Sequence, residues 1–130
     1  MASFNTADLK PVHEWNLTGR VVWGPSRLQD GILVATDAKE LLKVVGAAEP
    51  AWKAELNYGP LAGEPLVVGN DLVFASVDGV IWKVNGQTGE EITHLDVGEP
   101  LGTGPVQFSG SRLLVCGGDG TVHIVNLPNE

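Results

Sequence analysis

The chain has 130 residues, 43% of them apolar and 18% charged, which places it among globular rather than disordered sequences. Sixteen acidic residues against eight basic ones give a net charge of −8, a poor match for nucleic acid or an anionic membrane surface. No apolar run approaches the roughly 18 residues that a membrane span needs, so no membrane span is expected.

The N-terminus, MASFNTADLKPVHEW, lacks the basic segment and apolar core of a secretory signal. A single cysteine, Cys116, allows no intrachain disulfide and fits a reducing compartment. Together these point to a cytoplasmic location. Residues 1–10 show no periodicity and are read as a flexible arm, followed by a repeat region over 11–128.

A period near 40 organises that region. Pro25, Pro65 and Pro105 are 40 residues apart, and Leu42-Lys43-Val44, Trp82-Lys83-Val84 and His123-Ile124-Val125 follow at 40 and 41. Trp52 and Ile92 are again 40 apart, and the same step back reaches Val12. Such a period marks a repeat architecture. The units are a lone strand over 12–17 and then three repeats, at about 21–57, 61–96 and 101–127.

The middle repeat gives the elements most plainly. Strands are expected at Leu66 to Val68, Leu72 to Ser76, Val80 to Val84 and Glu91 to Leu95, separated by turns. Asp78-Gly79 is a hairpin signal, because glycine adopts positive φ without a Cβ clash. Asn85-Gly86-Gln87-Thr88-Gly89 makes the next turn. The first repeat reads GILVAT, ELLKVV and Trp52 to Leu56, with Ala38-Lys39 where the others have Asp-Gly. The last reads RLLVCG, a turn with Asp119-Gly120, then TVHIVN. Although AKELLKVV has some helical character, its alignment with GVIWKV makes it a strand. The fold class is therefore all-β: three four-stranded β-propeller blades of about 40 residues, WD-like in their blade plan.

Val73 to Ala75, Asp78-Gly79, Ile81 to Val84, Asn85, Thr88-Gly89 and Ile92 resemble the pyrroloquinoline-quinone (PQQ) type propeller repeat. That repeat occurs in quinoprotein dehydrogenases and in the outer-membrane assembly lipoprotein. The copies divide its motif: Trp52 keeps the tryptophan but its repeat has lost Thr-Gly, whereas Thr88-Gly89 is kept and Ile92 replaces the tryptophan. The quinoprotein site implied by the resemblance uses a vicinal disulfide, calcium and an aspartate base. One cysteine cannot reproduce it, so no cofactor is expected and quinoprotein-like oxidoreductase activity is the least favoured reading.

Elsewhere the chemistry-bearing residues follow the repeat. Asp78, Gly79, Thr88, Gly89, Asp119 and Gly120 are structural turn residues, since Asp and Asn side chains accept backbone hydrogen bonds in tight turns. His13, His94 and His123 share no metal-ligand spacing, so neither metal nor catalytic residues are assigned. The Gly-rich pieces Gly102-Thr103-Gly104 and Gly117-Gly118-Asp119-Gly120 sit at turns and open no helix, which weakens a phosphate-cradle reading. Loops that differ most between copies surround Trp23, Tyr58 and Glu99, the candidate binding rim.

Three blades fall short of the four to eight that close a propeller and bury both faces of every sheet. The final repeat also stops after its third strand, while the strand at 12–17 is spare. The expected assembly is a homodimer, two half-propellers joined head to tail into six blades with that strand donated as a clasp. The expected role is a non-enzymatic binding or scaffold module, possibly for a protein partner; the alternative is the terminal fragment of a larger propeller protein.

Overall fold

The computed structural model describes residues 2–4, 11–14, 19–28, 31–45, 51–109 and 112–126. All regular structure among them is β. The elements are β1 (Ala2–Phe4), β2 (Pro11–Glu14), β3 (Val21–Arg27), β4 (Ile32–Thr36), β5 (Glu40–Val44), β6 (Trp52–Glu55), β7 (Leu66–Val68), β8 (Asp71–Ala75), β9 (Val80–Asn85), β10 (Glu91–Asp96), β11 (Val106–Ser109), β12 (Arg112–Cys116) and β13 (Val122–Asn126).

Three antiparallel meanders account for the repeats: β3-β4-β5-β6, β7-β8-β9-β10 and β11-β12-β13. The third has three strands among the described residues, as expected from where the repeat stops. ELLKVV is strand, not helix: β5 lies between β4 and β6 with Leu42 opposite both Val34 and Lys53. One difference from the sequence reading concerns the N-terminus. Part of the segment read as a flexible arm forms β1, which pairs antiparallel with β2. The clasp position at 12–17 is described only to Glu14, and those residues pair with β1 rather than with a blade.

The chain divides into two compact units, Met1–Leu56 and Asn57–Glu130. The division falls between the first and second blades, because strands within a blade pair with their sequence neighbours and contacts are therefore local. The first unit holds the β1–β2 pair and the first blade; the second holds the second and third blades.

In the second unit two sheets pack face to face. Strand alternation sends Val73, Ala75 and Ile81 to one side of the second blade, its forward face. They form one buried cluster with Leu113 and Val115 of β12 and with Ala62 and Leu101 from the loops, flanked by Leu66, Leu95, Val97 and Val125. Thus the forward face of one blade receives the rear face of the next. The loops that lead into the two blades also meet closely. A Cβ on Gly104 would lie 2.0 Å from the Glu64 carbonyl oxygen, so only glycine fits there.

Repeat arithmetic then identifies the end faces. The forward face of the third blade carries Val106, Leu114, Cys116 and Val122, equivalent to Leu66, Val73, Ala75 and Ile81, with Ile124 at the position of Lys83. Unlike its counterpart it is uncovered: Val106, Val122 and Ile124 are 58%, 56% and 53% exposed. The rear face of the first blade behaves oppositely, with Val34, Leu42 and Val44 all buried. The two ends of the chain are not alike.

The strand 2–3 turn has one geometry in all three blades. Lys39, Gly79 and Gly120 donate their N–H groups to Thr36, Ser76 and Gly117 carbonyls, at 3.2, 3.1 and 3.2 Å. Their φ values are +62°, +103° and +91°. Lys39 bears the strain that glycine avoids at the other two turns. Lys39→Gly is therefore expected to stabilise the chain by about 0.5–1 kcal/mol, net of glycine's extra chain entropy. Gly79→Ala should destabilise it by about 2 kcal/mol or more, since its Cβ would also meet the Glu99 carbonyl oxygen at 2.4 Å. Urea unfolding midpoints measure both.

Candidate functional site

At one end of the second unit, the loop before the second blade, the Asp78-Gly79 turn and the loop before the third blade join by backbone hydrogen bonds. Val77 N–H donates to Pro60 O at 2.8 Å, Val97 N–H to Gly79 O at 2.8 Å and Leu101 N–H to Val77 O at 3.2 Å. Gly118 N–H donates to Pro100 O at 3.3 Å, which ties in the third blade's own turn. These bonds link the Tyr58 and Glu99 loops through the Asp78-Gly79 turn.

Tyr58 is positioned by its neighbours on the second blade. Its ring packs against Trp82 (centroids 5.1 Å apart) and His94 (5.3 Å), and Trp82 stacks in turn on buried Phe74 at 5.5 Å. The antiparallel register sets His94 opposite Trp82, one strand further out. The Tyr58 hydroxyl donates a hydrogen bond to Glu91, whose second carboxylate oxygen lies 3.4 Å from His94 Nδ1. A ladder Phe74–Trp82–Tyr58–His94 therefore runs from the core to the surface. Burial and the adjacent Glu91 carboxylate push the Tyr58 hydroxyl up to about 12, since both disfavour a phenolate.

Glu99 is half exposed, and its carboxylate lies 3.2 Å from His123 Nε2, at ion-pair distance but outside hydrogen-bond geometry. Nearby Asp119 accepts a hydrogen bond from Thr121 N–H at 3.0 Å. That bond, helped by His123, holds its carboxyl below the usual value.

Trp23 lies in the first unit. It is half-buried on β3, opposite Ala35, between two register shifts that break the regular ladder. The three rim candidates thus divide into Tyr58 and Glu99 on connected loops, and Trp23 on a strand of the other unit.

The turn residues act as backbone organisers. Asn85 Oδ1 accepts from the N–H groups of Gln87 (2.8 Å) and Thr88 (3.3 Å), and Thr88 Oγ1 from Glu90 N–H at 3.3 Å. Gly89 closes the turn at φ +78° by donating to Asn85 O at 2.8 Å. In the first blade Asp37 accepts from Arg20 N–H at 2.9 Å, and this bond lowers its pKa.

Sequence reasoning missed the grouping of Tyr58 with Trp82, Glu91 and His94. The available signal was the strand register, which sets His94 opposite Trp82, but nothing in the spacing brings a tyrosine 24 residues upstream of Trp82 onto its face. Among the described residues no three His, Cys, Asp or Glu side chains gather as a metal site, and no helix is long and apolar enough to cross a membrane.

No protein-family model and no curated protein sequence matches the chain, so the PQQ-type label has no matching family model behind it. Solved structures do match in fold. BBS1N, crystallised in complex with ARL6DN, is similar over 86% of this chain and 38% of its own, at TM-score 0.66 and 17% identity. BamB from Moraxella catarrhalis is similar over 78% of this chain and 31% of its own, at 0.59 and 17%. The computationally designed Ika4 protein is similar over 79% of this chain and 64% of its own, at 0.62 and 15%. The fold is of β-propeller type. The chain spans from about a third to under two thirds of the length of these proteins.

The chain holds one tyrosine, so its titration can be followed alone. Tyrosinate absorbance of the folded protein is expected to rise with a midpoint near 12, and Glu91→Gln should move that midpoint down toward the ordinary value of 10. A hydroxyl whose folded pKa is raised contributes stability that is complete below pH 10 and is lost as pH climbs from 10 through about 12.

Proposed function

We propose that this chain is a non-enzymatic binding or scaffold module that works as part of a completed β-propeller. The observation that supports this reading is the third blade, whose sheet has three strands and whose forward face is apolar and open. A β-sheet with an uncovered apolar face and an unpaired edge strand is a surface that another chain or segment completes.

In this reading the blades provide rigidity and the connected loops around Tyr58 and Glu99, with Trp23 on the first blade, provide the binding rim. No cofactor and no metal take part, and the setting is the reducing cytoplasm. Two copies joined head to tail would make six blades, the smallest closed ring that three-blade units can form. That ring uses the rear face of the first blade as well as the forward face of the third. A second reading is favoured by the 31–64% coverage of the similar structures: the three blades belong to a longer propeller.

Light scattering across a concentration series tests the proposal. A mass of two chains that resists dilution would support the six-bladed ring, which is held by two interfaces. A mass that grows reversibly with concentration would support assembly through one face. A single-chain mass throughout would reject self-assembly and favour the longer propeller.

A further inference from the structure

The open forward face of the third blade is more apolar than its repeat position requires. On the second blade Val73, Ala75 and Ile81 are covered by the next sheet, and the outer position carries Lys83, whose ammonium lies 3.8 Å from Asp71. On the first blade that position is Lys43. On the third it is Ile124, in a row with Val106 and Leu114 across three strands, with Cys116 and Val122 in the row beside it. A face exposed to water would be expected to keep the lysine. Here the charge is replaced by an aliphatic side chain on the one blade whose forward face the chain leaves bare, which is the pattern of a contact surface.

The occupant follows from the two ends. Continuing the repeat would bring in the rear face of another blade, but the rear face available at the far end of this chain is already buried at Val34, Leu42 and Val44. A second copy therefore has its own forward face to offer. We propose that two copies associate through the forward faces of their third blades, in a two-fold contact that uses the same patch on both sides. This rests on the assembly reading above and replaces its head-to-tail geometry.

The contact is sheet on sheet, with the two apolar faces about 10 Å apart. Three strands about 4.8 Å apart, each about five residues long, present a patch roughly 15 Å on a side. That is smaller than the ~800 Å² per partner of a standard stable interface, so association is reversible and rises with concentration.

Cys116 sits in the patch and is the chain's single cysteine, so any thiol-to-thiol link between copies must join Cys116 to its mate. The test combines light scattering with a short bismaleimide crosslinker on the full chain. The expected result is a reversible dimer that crosslinks through Cys116 and fails to do so in Cys116→Ser. Val106→Asp and Ile124→Asp should each weaken association about tenfold or more, whereas Val22→Asp, at an exposed position on β3, should leave it unchanged. The three substituted positions are more than half exposed, so the fold should persist, as near-ultraviolet circular dichroism checks. A dimer that does not crosslink, or that ignores both aspartates, overturns the forward-face contact while leaving assembly through other surfaces standing. A folded chain of single mass at every concentration overturns both.

Discussion

A four-stranded antiparallel sheet whose two central strands are apolar on both faces has to be covered twice, and everything else in this structure answers to that constraint. The runs Leu33-Val34-Ala35 and Val73-Phe74-Ala75 send residues to both faces in turn, and all six are buried. No isolated sheet can achieve this. Packing the forward face of the second blade on the rear face of the third covers one pair of surfaces and defines a direction along the chain. The turns and the glycine contacts between loops serve that stacking by letting the backbones approach.

The candidate site is a by-product of the same arrangement. Because the Asp78-Gly79 turn hydrogen-bonds to the loops on either side of it, the segments carrying Tyr58 and Glu99 are held as one surface. The stacking of Tyr58 on Trp82 extends the core of the second blade out to His94. These contacts give the rim a fixed shape, while the chemistry on it is that of aromatic and acidic groups held by local hydrogen bonds.

The period of 40, the strands of the middle repeat and the Asp-Gly turns were legible because each rests on local chemistry: alternation along a strand, or positive φ at a glycine. The expectation at 1–10 missed β1, since Ala-Ser-Phe carries no alternation of its own and is a strand only against β2. The rim residues were chosen from loop variation between copies. That criterion cannot see partners such as Glu91 and His123, which reach Tyr58 and Glu99 through sheet register and blade stacking.

The amino-acid sequence by itself determined the repeat, the strand content and the shortage of a fourth strand in the last blade, because hydrophobic alternation and turn chemistry act over a few residues. Only the tertiary structure decided which apolar faces are dry. Val73 and its repeat equivalent Leu114 are both aliphatic and both on central strands, yet the first is buried and the second only partly so. The difference lies in whether another sheet follows, and burial is set by what packs above a residue rather than by the residue itself.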